Sequence, residues 1–446
     1  MKDLRFQLPE INTWRLYAKG VTQERVMRMV EDWEVQGYRF GTICVDDGWT
    51  VDSLLGDWEP CPRRFPDLAD LAAWIHNKGY ALRLWVAPAQ IHPGTRAAKE
   101  LYPQAVLRNQ KGEPALNCGL RSFRLDIRQD EARRHIRETM QRLVRDYQVD
   151  GFKVDFPPFY HPGDEYYTEH CNYDLPEADQ GTMVQDFYRL IRESLDAVNP
   201  QVRVECARHI AGCQPFINDT ICGDLIGRKR NMKSISGIAD DLKTYAGEHE
   251  IVSWLEMVWG EGTQFPSSSV EWHAGFLEWI AMSINFGLKL EHSFQPFAYP
   301  NAAQVRALTN LYGPRDNRYK VLNAGRKTFP VAEMLKAGIT VDGHTRFLVA
   351  PEEEVNVSLH TGFLHTNAVD WHCRNVLTNA EVPLRARNEF WSNSMDHCHV
   401  AFEAQPHQVY ELWYEGQHTT LFSDWFQEYP WKSSQSDEAK PTVEAD

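Results

Sequence analysis

The sequence predicts an α/β fold: a (β/α)8 TIM barrel followed by a small C-terminal antiparallel β-sandwich. Three observations carry that expectation. From about residue 12 to residue 295, short β-branched runs alternate with longer amphipathic stretches, the signature of repeated βα units. Eight such runs can be counted, which favours a closed barrel over an open doubly wound sheet. After Tyr299-Pro300 the rhythm gives way to short alternating runs separated by turn residues.

Each element has its own justification. Thr22 to Tyr38 sets Val26, Met29, Val30 and Trp33 on one helical face, and Thr42-Ile43-Cys44-Val45-Asp46 follows as a strand. Leu68, Leu71, Trp74 and Ile75 form the next apolar face, ahead of Ala81 to Val86. Phe123 to Ile127 is expected as the third strand. Ala132, Ile136, Met140 and Leu143 mark a helix before the fourth, Asp150 to Asp155. Val202 to Cys206, Phe216 to Cys222, Glu250 to Leu255 and Ser283 to Leu290 complete the eight. The expected organisation is a barrel over 1–300, a linker or helical connection over 301–330, the sandwich over 331–430 and a disordered tail over 431–446, rich in Ser, Glu, Asp and Lys.

Composition narrows the function. A formal charge of −15 excludes a basic nucleic-acid binder. The start Met1-Lys2-Asp3-Leu4-Arg5 has no apolar leader, and no run of about 18 uncharged apolar residues occurs, so a cytoplasmic protein without membrane contact is expected. Nine cysteines, an odd and scattered set, suit buried thiols better than a disulfide framework. Cys206, Cys213 and Cys222 lack C-x-x-C pairing, and His397-Cys398-His399 falls in the C-terminal β region, so no metal site is expected there, and the two-carboxylate hydrolysis set out below requires no metal or organic cofactor. Aromatic residues make up 12% of the chain, and flat rings stack on sugar C–H faces as well as filling cores.

Barrel chemistry gathers where strands end. Here several strands end in carboxylates: Asp46-Asp47 ahead of Gly48-Trp49, Asp126, Asp155, Glu205 and Asp224. Lys153 and Asp155 are two apart and so point to one side of a strand, where an ammonium would keep the carboxylate ionised for nucleophilic work or form a plain ion pair. Asp46 and Asp47 either accept from vicinal hydroxyls or close an Asx turn. Two carboxyl groups across an anomeric carbon, one ionised and one protonated, are the minimum for glycoside hydrolysis. Asp155 fits the first role, and Asp224 and Asp219 compete for the second.

With these residues in view, residues 10 to 295 resemble the clan of retaining α-glycosidases containing glycoside hydrolase families 36 and 31. Val45-Asp46-Asp47-Gly48-Trp49 is similar to the first-strand Asp-Asp-Gly-Trp of family 36 α-galactosidases, and Gly56-Asp57-Trp58 with Arg64-Phe65-Pro66 to the segment that follows. Leu84-Trp85-Val86-Ala87-Pro88, Arg124-Leu125-Asp126 and Phe152-Lys153-Val154-Asp155-Phe156 match the later strand ends in order. The resemblance implies Asp155 as nucleophile and Asp224 as acid/base. It implies a sugar pocket drawn from Asp46, Asp47, Trp49, Trp85, Lys153, Arg121, Arg208, His209 and Glu256.

The expected activity is exo-acting, retaining hydrolysis of an α-linked galactoside or related oligosaccharide. The alternatives are a family 31 α-glucosidase or sulfoquinovosidase, a transglycosidase, or a sugar-binding pseudoenzyme. Glu205-Cys206-Ala207-Arg208-His209 replaces the glycine-rich segment many family 36 enzymes carry after the fifth strand, and Ile221 stands where relatives often have Arg. The barrel pattern begins almost at once, so no N-terminal β-sandwich is expected ahead of it. A homo-oligomer that completes the pocket is compatible with that pattern.

Overall fold

The computed structural model describes residues 3–109, 111–114, 116–117, 121–159, 177–206, 210, 212–221, 251–255, 280, 284, 288–292, 302–311, 319–321, 328–330, 346–349, 354–362, 371–390, 396–405 and 408–414. They form two compact units, one built on a barrel and one on C-terminal sheets.

Eight parallel strands close the barrel: β1 (Glu10–Asn12), β2 (Thr42–Val45), β3 (Ala81–Val86), β7 (Gly151–Val154), β8 (Arg203–Cys206), β9 (Asp219–Ile221), β10 (Ile251–Leu255) and β11 (Lys289–His292). The count of eight holds, but its membership differs from the expectation. The first strand is Glu10–Asn12, paired with β11 and β2. The run expected as the third strand lies outside the barrel. Its residues Ser122–Arg124 form β6, the middle strand of a small antiparallel sheet with β4 (Gln90–Ile91) and β5 (Leu116–Asn117). β3 pairs directly with β7 instead.

The helices close over the barrel as their periodicity requires. Val26, Met29, Val30 and Trp33 of the helix Gln23–Val35 are fully buried, and Thr22 caps it by accepting from Arg25 N. Leu68, Leu71, Ala72 and Ile75 do the same for Leu68–Asn77, while Trp74 stays half-exposed with the Lys78 ammonium 4.8 Å from its ring centroid. Ala132, Ile136, Met140 and Leu143 bury the helix Asp130–Tyr147.

Inside the barrel the usual polarity is inverted. β1 points Ile11 outward to the helix layer and Glu10 and Asn12 inward; β11 does likewise with Leu290 against Lys289 and Glu291, all fully buried. Phe6 plugs the lower end, with Arg83 and Arg203 each 5.3 Å and Lys289 5.8 Å from its ring centroid. Gly151 leaves room for it, since a Cβ there would sit 3.2 Å from Phe6 Cε1.

The C-terminal unit holds two four-stranded sheets, one ordered β12 (Tyr319–Val321), β14 (Arg346–Val349), β19 (Tyr410–Tyr414), β16 (Trp371–Asn375), the other β13 (Thr328–Pro330), β15 (Val355–Gly362), β18 (Asp396–Ala404), β17 (Arg385–Phe390). Their central pairs, such as β15 (Val355–Gly362) with β18 (Asp396–Ala404), are antiparallel. Two of the strands, β12 (Tyr319–Val321) and β13 (Thr328–Pro330), fall in the stretch expected as a linker or helical connection, which also holds the helix Ala302–Leu311. The expected tail, 431–446, lies outside the described residues.

Candidate active site

The rim at the C-terminal ends of the strands collects polar groups from β1, β2, β3, β7 and β11. Asp46 follows β2 directly and is 4% exposed. Its Oδ2 accepts from Lys153 Nζ at 2.9 Å and from Asn12 Nδ2 at 2.9 Å; its Oδ1 accepts from Asp47 N at 2.8 Å. The Asp46 amide in turn donates to Thr13 Oγ1 at 2.9 Å. Asp46 thus bonds its neighbour's amide, and the Asx-turn alternative is not what closes this strand. Gly48, at φ +122°, then turns the chain where a Cβ would lie 2.7 Å from Lys19 Cα. Asp47 is half-buried, with Lys19 Nζ 3.3 Å from its Oδ2. Burial pushes its carboxyl up, Lys19 opposes that, and the negative groups Asp46 and Asp155 add to it.

The Lys153 ammonium pairs with Asp46, with Glu291 Oε1 next at 3.6 Å. Burial alone would lower the lysine, but Asp46 and Glu291 more than offset it and hold it well above its ordinary value. Asp155 lies one residue beyond β7. Its Oδ1 accepts from Phe156 N at 2.8 Å and its Oδ2 from Trp85 Nε1 at 3.2 Å. Phe156 stands at φ +43°, so the backbone turns sharply there.

The tryptophans have separate tasks. Trp85 reaches Asp155, whereas Trp49 is fully buried and donates from Nε1 to the Trp85 carbonyl at 2.9 Å. Trp49 therefore anchors the strand that carries Trp85, and its ring is not offered to a ligand. Trp58 packs between them, 6.1 Å from each by ring centroids. Arg121, expected in the pocket, is exposed at φ +52° immediately before β6 of the small sheet. Asp224, Arg208, His209 and Glu256 lie outside the described residues.

Asp219, the rival acid, opens β9 instead of ending it. It is fully buried, with Arg83 Nη2 2.7 Å and Arg203 Nε 3.2 Å from its Oδ2. Burial pushes its carboxyl up, but Arg203 and Arg83 prevail and hold it below the usual range. A carboxylate kept ionised and enclosed is unsuited to giving a proton to a leaving group.

Sequence reasoning missed Asn12, Thr13, Arg83 and Glu291. Asn12 Nδ2 donates to both Asp46 and Glu291, the latter at 2.7 Å. Arg83 is fully buried, paired with Glu205 and Asp219 and 3.6 Å from Glu10, which also takes Lys289 Nζ at 2.5 Å. The available signal was the inverted polarity of Glu10-Ile11-Asn12 and Lys289-Leu290-Glu291. Glu10, Glu205 and Glu291 bring one oxygen each within 4.8 Å of one another, and among the described residues this is the sole grouping close enough to share a cation. Arg83 and Lys289 already supply positive charge to it.

Residues 8–213 match the family model Melibiase. Among curated proteins, α-galactosidase 2 of Pediococcus pentosaceus is 27% identical over 229 residues, 48% of this chain and 30% of the relative. Among solved structures, an α-galactosidase of Geobacillus stearothermophilus in complex with stachyose aligns with a TM-score of 0.54 at 13% identity, covering 91% of this chain and 55% of the other. An α-galactosidase of Thermus thermophilus in complex with p-nitrophenyl α-D-galactopyranoside aligns at 0.50 and 19%, covering 69% and 63%. In each of the three the match spans less than two thirds of the relative's length.

Proposed function

We propose, from the match of residues 8–213 to the Melibiase family model, that this protein is an exo-acting retaining α-glycoside hydrolase of α-galactosidase type. The observation that carries the reading is the Asp155 carboxylate, set one residue beyond β7 at the barrel rim and aimed by Trp85 Nε1 and Phe156 N. Strand-end carboxylates are where barrels place their reacting groups.

In this reading Asp155 attacks the anomeric carbon while Asp224, protonated, donates to the leaving oxygen. Water then releases the sugar, with Asp224 taking its proton, and two inversions give net retention. Asp46 and Asp47 accept from sugar hydroxyls, and Trp85 flanks the ring; Arg208, His209 and Glu256 are proposed to line the remainder. The substrates are galactoside oligosaccharides or related glycosides. Free thiols at Cys44, Cys61, Cys213 and Cys373 suit a reducing, cytoplasmic setting. The two C-terminal sheets are read as the faces of a sandwich.

The test is a panel of nitrophenyl α-galactoside, α-glucoside, α-N-acetylgalactosaminide and α-sulfoquinovoside, with the anomer first released followed by NMR. Galactoside turnover with α-galactose as first product supports the reading. Preference for another sugar overturns the galactoside assignment, and a β first product overturns retention.

A further inference from the structure

The barrel interior carries more carboxylates than cations. Among the described residues Asp46, Asp219, Glu10, Glu205 and Glu291 face Lys153, Arg83, Arg203 and Lys289, all linked by ion pairs. Among these described groups one negative charge is in excess, and an uncompensated charge at a fully buried site is costly. The hydrogen bonds show where it falls. Glu10 Oε1, Glu205 Oε1 and Glu291 Oε2 are buried acceptors without a donor, and the three residues each bring an oxygen within 4.8 Å of the others. A proton is the donor this trio lacks.

We propose that Glu291 is a positioning residue that carries a proton in the resting protein, and that through Asn12 and Lys153 it fixes the Asp46 carboxylate at the rim. Glu291 Oε1 accepts from Asn12 Nδ2 at 2.7 Å and lies 3.6 Å from Lys153 Nζ; both donors are bonded at 2.9 Å to one oxygen, Asp46 Oδ2. A neutral Glu291 leaves the Lys153 charge to Asp46. An ionised Glu291 competes for that ammonium and draws it from the rim.

Charged groups on β1, β7, β8 and β11 itself set the proton affinity of Glu291. Burial is the largest influence and pushes the carboxyl up; Lys153 from β7 opposes it, Glu205 from β8 and Glu10 from β1 add to it, and Lys289 on β11 opposes. The result is a carboxyl pushed up to about 8. Cys44 of β2, whose thiol burial pushes up, stays neutral beside it, and Arg83 of β3 is engaged by Glu205 and Asp219.

The test is Glu291→Gln, which copies a protonated glutamate and cannot ionise. The folded protein binds the extra proton between the ordinary glutamate value of 4.5 and about 8, so wild-type stability from this group falls as pH rises through that window. The Tm of E291Q minus that of wild type should therefore increase steadily from pH 5 to pH 8. This arm needs no substrate. The second arm rests on the α-galactosidase reading: wild-type KM for nitrophenyl α-galactoside should rise about tenfold from pH 7 to pH 9 as the proton is lost, with kcat changing less, and E291Q should lack that rise. A Tm difference independent of pH, an E291Q chain that does not fold at pH 6, or a stoichiometric divalent cation found by metal analysis of the wild type would each overturn the proposal. Absence of galactoside turnover with the Tm result intact would sink the substrate reading alone.

Discussion

Lys153 and Asp46 form a buried ion pair, Nζ to Oδ2 at 2.9 Å, reaching over β3 from β7 to the end of β2. The pair is what holds a carboxylate at the rim at fixed orientation, because Asp46 also accepts from Asn12 and from its own neighbour's amide. Lys153→Met removes the cation and leaves Asp46 and Glu291 enclosed. Truncating one partner of a buried, hydrogen-bonded charge pair costs roughly 2–5 kcal/mol. Galactoside kcat/KM should fall by on the order of 100-fold, with melting temperature lowered as well. Activity within about twofold of wild type would show that Asp46 needs no such anchor.

Arg83 meets three acids at once. Arg83→Met strips Glu205 and Asp219 of a guanidinium and Glu10 of a nearby charge. Breaking a buried ionic network from one side typically costs about 3–5 kcal/mol. Urea unfolding of the variant should show a loss of that size. A loss below about 1 kcal/mol would mean that the interior rearranges to neutralise itself.

Trp85→Phe keeps a ring and deletes the indole donor to Asp155, 3.2 Å away. A hydrogen bond to a charged group contributes about 1.5–3 kcal/mol. The expected result is a drop in kcat on the order of 10–100-fold, with a smaller change in KM, read from steady-state kinetics.

Asp219 and Asp224 separate by leaving group. Asp224→Ala should slow natural galactosides far more than nitrophenyl galactosides, since a good leaving group departs without a proton. Asp219→Asn should instead lower stability and depress both substrates in parallel, because Asp219 is locked between Arg83 and Arg203. A selective defect in Asp219→Asn would reverse the assignment.

Much of the barrel was legible because its helices carry clean apolar faces: Val26, Met29, Val30 and Trp33 lie buried as their spacing requires. What escaped notice has a physical cause. Glu10-Ile11-Asn12 is three residues long and turns its polar side inward, so it reads as a polar loop unless an ionic barrel interior is expected. Ser122 to Arg124 is a strand by pattern, yet pattern does not name the partner, and the run pairs with β4 and β5. The same limit applies to Lys153 and Asp155. Alternation placed them on one side, but β7 ends at Val154 and the turn at Phe156 sends Asp155 to Trp85 while the lysine reaches Asp46. Position along a strand also decided Asp219: at the start of β9 it falls inside the barrel, where a residue at the strand's end would reach the rim.

In the proposed mechanism Asp155 forms the covalent bond to the sugar. Asp155→Gly, given nitrophenyl α-galactoside and external azide, tests it most directly, because azide can occupy the space of the missing carboxylate and attack the anomeric carbon. Turnover should be negligible without azide, and azide should restore nitrophenol release together with β-galactosyl azide, the inverted product, by NMR. Undiminished hydrolysis by Asp155→Gly without azide, giving α-galactose, would contradict it.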